Sequence, residues 1–151
     1  NAYAKRKGKQ GFGALSNNFS LAEMLDAIWP GCVTSSSGDW KKWLKRRQLP
    51  NFAWSSQGRG FFTDRAGRDK RENEELVRVW YSDKNFVRRD RAIELAEKLG
   101  KSPIHVALAY VLAQPFPVVP LIGPRTLQEL DDSLQGLQIK LTPKQVRWLE
   151  G

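Results

Sequence analysis

The sequence predicts an α/β fold built on a parallel sheet. Three short apolar runs, near 12–16, 51–55 and 118–122, alternate with stretches that carry helical periodicity and helix caps. Strands joined through helices pair in parallel. Composition agrees: the 151 residues are 40% hydrophobic with six Trp, more large apolar side chains than a disordered chain carries. A parallel sheet is covered on both faces, and three strands leave two open edges. The pattern therefore describes part of a larger α/β fold.

Each element has a local reason. Asn1 to Gly8 reads as the last turns of a helix, with alanines inside, Lys5, Arg6 and Lys7 at its end and Gly8 as the stop. The chain is thus expected to begin inside a structural element. Phe12 to Ser16 is the first expected strand. Ser20 and Glu23 have capping-box spacing and predict a short helical turn that Trp29-Pro30-Gly31 breaks. Residues 34–38 read as a polar loop. Asp39 is the expected cap of a helix to about Gln48, with Trp40, Trp43 and Leu44 on one face. Asn51 to Ser55 is the second strand. After an irregular stretch, a short helix is expected over Asn73 to Trp80.

The second half is better punctuated. Ser82 or Asp83 caps a helix to Leu99, with Ala92, Leu95, Ala96 and Leu99 as its apolar stripe and Gly100 as its stop. Within it, Arg88-Arg89-Asp90-Arg91 reads as a solvated face. Ser102 as N-cap and Pro103 in the first turn open an apolar helix to Ala113. Val118 to Ile122 is the third strand, although Pro120 is awkward inside a central strand. Thr126 with Glu129, and Thr142 with Gln145, mark two further helix starts.

Charge and rare residues narrow the function. The net charge is +9, which favours anionic partners. The basic residues are spread over many segments with no recognition motif, so nucleic acid is not the expected partner. A single Cys32 rules out an internal disulfide, and one histidine, His105, makes a Cys/His zinc site implausible, so no metal is expected. No apolar run approaches the roughly 20 residues of a membrane span. The expected location is the cytoplasm. His105, in the first turn of a core helix, reads as a packed side chain, Cys32 as an inert thiol, and Trp40, Trp43 and Trp148 as core or interface aromatics.

Two segments have phosphate-site chemistry. Trp54-Ser55-Ser56-Gln57-Gly58-Arg59-Gly60 follows a strand; its glycines let backbone N–H groups approach an anion, or simply make a turn. Ile122-Gly123-Pro124-Arg125-Thr126 leads from strand to helix. The helix start offers free N–H groups and Arg125 a bidentate grip on phosphate; a plain helix start with a solvated Arg reads the same.

Six segments in order carry a family resemblance: Asn1-Ala2-Tyr3-Ala4, Asn18-Phe19-Ser20-Leu21-Ala22, Phe52 to Phe62, Ala107-Leu108-Ala109-Tyr110-Val111-Leu112, Leu121 to Thr126 and Leu141-Thr142-Pro143. Together the chain resembles the C-terminal half of an aldo-keto reductase. The resemblance implies a partial (β/α)8 TIM barrel, about three C-terminal βα units plus a C-terminal helix, with residues 1–151 as one portion of a single barrel domain. It also implies NADP(H), hydride transfer to a small-molecule aldehyde or ketone, and an alcohol product. By that likeness Trp54 stacks on the nicotinamide, and Ser55, Gln57, Gly58 and Gly60 hold the pyrophosphate. Arg125, flanked by Gly123 and Thr126, takes the adenosine 2′-phosphate. Ser16 stands where a Gln often meets the nicotinamide amide. Gln128-Glu129 stands for a Glu-Gln pair, and Ser133 for an adenine-contacting Asn. The family's catalytic Asp, Tyr, Lys and His come from the first half of the barrel, so no catalytic residue is assigned and this chain alone is expected to be inactive. The alternative is a truncated, non-enzymatic module that self-associates or pairs with a missing barrel half.

Overall fold

The computed structural model describes residues 1–151. Its sheet is parallel throughout. β1 (Asn51–Ala53) pairs with β2 (Val118–Pro120), Phe52 opposite Val119. On the other side of β1, Leu15 bridges to Asn51; Asn18 bridges both to Trp54 and to Thr34. Four parallel segments thus lie in the order 34, 15–18, β1, β2.

The first expected strand is corrected. At 12–16 only Leu15 joins the ladder, donating to Pro50 O and accepting from Phe52 N, both at 2.8 Å. The Asn1 side chain takes both backbone groups of Phe12, at 2.7 and 2.8 Å, so they are not available to a strand. Pairing resumes at buried Asn18. Its backbone bonds Val33 O and Ser35 N, and its side chain bonds Trp54 O and the Thr34 hydroxyl. The expected polar loop at 34–38 therefore supplies an edge. β1 and β2 are also shorter than the expected 51–55 and 118–122; β1 stops ahead of Ser55, which turns left-handed at φ 51°. Pro120 is accommodated by alternation. β2 reaches β1 through Pro117 O and Leu121 N, residues of the opposite parity, so the missing N–H falls on the unpaired side.

Helices follow their caps. They are α1 (Ala2–Arg6), α2 (Gly38–Arg47), α3 (Glu74–Trp80), α4 (Asp83–Leu99), α5 (Pro103–Leu112), α6 (Leu127–Leu134) and α7 (Pro143–Glu150). The Asn73, Ser82, Thr126 and Thr142 side chains accept from the first turns of α3, α4, α6 and α7. Gly100 stops α4 in the left-handed region at φ 61°. Ser37 rather than Asp39 is the N-cap of α2. The expected turn after Ser20 is not helical: the Ser20 hydroxyl donates to Ala22 O at 2.6 Å and Leu25 N donates to Val79 O, tying the segment to α3 instead.

The core lies between one sheet face and α3, α4 and α5. Phe19, Ala53, Leu76, Trp80, Ala92, Val106, Ala107, Ala109, Tyr110 and Val111 are buried in it. Phe19 stacks on Tyr110 and meets Phe116 edge-on, at 6.1 and 5.5 Å between centroids. Trp43 and Trp148 pack on its margin, and Trp40 meets Trp43 edge-on. On the opposite sheet face Phe52 and Val119 are 41% and 44% exposed.

The expected solvated face at 88–91 is overturned. Arg88 is buried and donates to Leu21 O at 2.8 Å, Glu150 O at 3.1 Å and the Glu23 carboxylate at 3.0 Å. Arg89 donates to Phe61 O and Thr63 O, and Arg91 to Trp148 O. Only Asp90 faces water, paired with Arg68 at 2.9 Å. The loops at Leu21 and at Phe61 to Thr63 and the C-terminal turn of α7 present carbonyls without ladder partners, and an arginine's forked donors satisfy several of them at once.

Candidate functional site

Two strand-to-helix turns build one cleft of about 680 Å³ at the C-terminal ends of β1 and β2. The Ser56 hydroxyl donates to Leu121 O at 2.9 Å and links the two turns. After β1 the backbone is left-handed at Ser55, Gly58, Arg59 and Gly60, with φ of 51, 69, 52 and 97°. Two of these are not glycine, a condition that clusters at functional sites. At Gly58 a Cβ would stand 3.2 Å from the Phe62 ring, so the turn needs its glycine. The amides of Ser55, Ser56 and Gln57 have no partner within the chain. Successive N–H groups of this kind form an anion-binding concavity. Gln57 Nε2 is buried and also without a partner, which costs about 1–3 kcal/mol unless a ligand acceptor meets it.

The second wall follows β2. Thr126 caps α6 by accepting from Glu129 N at 3.1 Å, while Glu129 Oε2 accepts from Arg125 N at 2.6 Å. The guanidinium of Arg125 is exposed and unpaired. His105 has a structural task. Its Nδ1 accepts from Ser102 N at 3.1 Å, so the ring proton lies on Nε2, 3.0 Å from Asp132 Oδ1. This bond ties α5 to α6.

Of the residues singled out from sequence, Trp54, Ser55, Gln57, Gly60, Gly123, Arg125, Glu129 and Ser133 line the cleft. Ser16, Gly58 and Thr126 do not. The Ser16 carbonyl accepts from Trp54 Nε1 at 3.2 Å and orients the indole. Gly58 lies beneath the turn, and the Thr126 hydroxyl is spent on the cap.

Three further lining residues, Trp29, Arg59 and Arg65, were not among them. Arg59 pairs with Glu75 at 2.8 Å, and Arg65 lies against Gly60 with its guanidinium unpaired. Trp29 packs on Trp54 with centroids 4.8 Å apart and planes at 34°. Its loop is held at Asp26 and Ala27 O by Arg78, at 2.6 and 2.7 Å. The hydrogen bond from Arg78 holds the Asp26 carboxyl below its ordinary value. Arg59 sits inside the glycine motif and was legible there. The Trp29 contact joins residues far apart in sequence and left no local signal.

The model of the Aldo/keto reductase family matches residues 34–151. The chain belongs to this family. Among curated members, an uncharacterized oxidoreductase of Bacillus subtilis is 31% identical over 97 residues, covering 64% of this chain and 30% of that protein. Versiconal hemiacetal acetate reductase of Aspergillus parasiticus is 37% identical over 75 residues, covering 50% of this chain and 22% of that protein. A solved thermostable aldo-keto reductase superposes with a TM-score of 0.65 at 15% identity, over 99% of this chain and 43% of that one. The chain thus spans under half the length of these aldo-keto reductase relatives. The structural likeness shows the fold alone: an α/β chain of a TIM-barrel family. No helix of the chain is long and apolar enough to cross a membrane.

Proposed function

We propose that this chain is the cofactor-binding portion of an NADP(H)-dependent aldo-keto reductase, whose complete barrel reduces aldehydes or ketones to alcohols. One observation carries the reading: Trp54, the free Ser55–Gln57 amides and the unpaired Arg125 line the same cleft at the ends of parallel strands. Residues 1–151 are then the C-terminal part of a single (β/α)8 domain, and its location is cytoplasmic.

The bound nicotinamide supplies the hydride. The chain's own residues bind and orient. Trp54, held by the Ser16 carbonyl, offers a face to a pyridine ring. The Ser55–Gln57 amides and Gln57 Nε2 suit pyrophosphate oxygens. Arg125, with Gly123 and Thr126 shaping its turn, suits a 2′-phosphate, and Glu129 and Ser133, which line the same cleft, would meet the adenine. The proton donor belongs to the other part of the barrel, which also completes the carbonyl site.

The test is cofactor titration of the chain and its Arg125→Ala variant. One charge-assisted phosphate contact is worth roughly 1.5–3 kcal/mol, so NADPH weakens about 10- to 150-fold while NADH changes little. Equal weakening of both removes the 2′-phosphate role. Steady NADPH oxidation by the chain with aldehydes, above a buffer control, would overturn the division of labour.

A second reading, a non-enzymatic module that self-associates or pairs with the rest of a barrel, is favoured by the exposed Phe52 and Val119 at opposed register positions. Sedimentation that returns only monomer counts against self-association.

A further inference from the structure

We infer that Trp29 gates the stacking face of Trp54: it lies where a nicotinamide ring would stack, and the ring enters only when Trp29 leaves. The inference rests on the cofactor reading above. A planar ring between two others needs about 3.5 Å on each side, so its neighbours stand about 7 Å apart. The Trp29 and Trp54 centroids are 4.8 Å apart. No third ring fits between them, so the two indoles do not form a ready-made clamp.

The loop that carries Trp29 is built to swing. Cys32 N donates to Trp29 O at 3.2 Å, Pro30 fills the second turn position and Gly31 the third, at φ 83°. This is a type II turn, stiff within itself. Its outer fastenings are Arg78 on Asp26 and Ala27 O, and Asn18 N on Val33 O. From Ile28 to Cys32 no backbone hydrogen bond reaches the rest of the chain. Trp29 is 47% exposed, and its indole N–H has no partner in the chain. Besides the Trp54 stack, nothing polar holds the ring in the cleft. Trp29 then acts on cofactor affinity through competition, and it acts only on ligands that carry the ring.

The experiment compares NADPH with adenosine 2′,5′-bisphosphate, which reaches the Arg125 end and has no nicotinamide. Both are titrated into the wild-type chain, Trp29→Ala and Arg78→Ala, the last loosening the loop without touching either ring. Removing a tilted aromatic pair releases a restraint that corresponds to about 2- to 12-fold in affinity. NADPH is expected to tighten by that factor in Trp29→Ala and by less in Arg78→Ala, with the bisphosphate unchanged in both. Unchanged or weaker NADPH binding in Trp29→Ala, with normal bisphosphate binding, overturns the gate and leaves the cofactor reading standing. Failure of both ligands to bind the wild-type chain overturns both. Should Trp29→Ala lose its cooperative thermal melt, Trp29→Phe and Arg78→Ala decide by the same criterion.

Discussion

At the cleft, Arg125 and Arg65 keep their guanidinium groups free of any partner in the chain, whereas along α4 Arg88, Arg89 and Arg91 donate to backbone carbonyls of distant segments. The same side chain serves two ends. On α4 its forked donors satisfy carbonyls of irregular loops and of the last turn of α7, which no ladder reaches. On the α6 turn the backbone is already satisfied by Thr126 and Glu129, and the guanidinium has no partner in the chain. The partnered arginines of α4 are structural, and the phosphate role proposed above falls on an unpartnered one in a concave wall.

The contrast breaks most sharply at Arg88. Arg88→Met strands Leu21 O and Glu150 O and leaves the Glu23 carboxylate with Lys84 alone. Leaving a buried acceptor without its donor costs about 1–3 kcal/mol, to be measured as the shift in urea unfolding. A loss within about 0.5 kcal/mol, the norm for surface substitutions, would place Arg88 with the solvated residues after all.

Acid acts on the same network. Burial opposes ionisation of Glu23, but hydrogen bonds and charge from Lys84 and Arg88 outweigh it. For Glu150, Lys41 and Tyr110 do so, at 2.7 and 2.6 Å. Both carboxyls are held below the ordinary value of 4.5. Burial, then the Glu150 charge, pushes the Tyr110 hydroxyl well up, so it stays a donor. A depressed carboxyl stabilises the fold above its unfolded value and loses that contribution as pH falls through its folded one. The urea midpoint is therefore expected to fall as pH drops below about 4.5, and less steeply in a Glu23→Gln, Glu150→Gln double variant. Identical slopes in the two proteins would detach the network from acid sensitivity.

The smallest effect belongs to the cleft side. Thr126→Ala removes the α6 cap and costs about 1 kcal/mol of stability, read from thermal melting. Because Arg125 lies next to the cap, NADPH binding weakens too, by less than in Arg125→Ala. A stability loss with unchanged NADPH affinity would separate the cap from the anion site.

Sequence alone determined whatever is decided within about four residues. Asn73, Ser82, Ser102, Thr126 and Thr142 set helix starts, Gly100 set a stop, and Ser55 to Gly60 with Gly123 to Thr126 marked two turns after strands, because capping and turn chemistry are local. The tertiary structure decided the rest. Phe12 left the ladder because Asn1 reached it first, the segment after Ser20 bonded to α3 instead of winding, and Asn18 found Thr34 across a loop. Arg88 and Glu150 meet across 62 positions, and Trp29 meets Trp54 only because two loops close over the same strand ends. Such contacts depend on which surfaces arrive opposite each other, and no short window of sequence contains both partners.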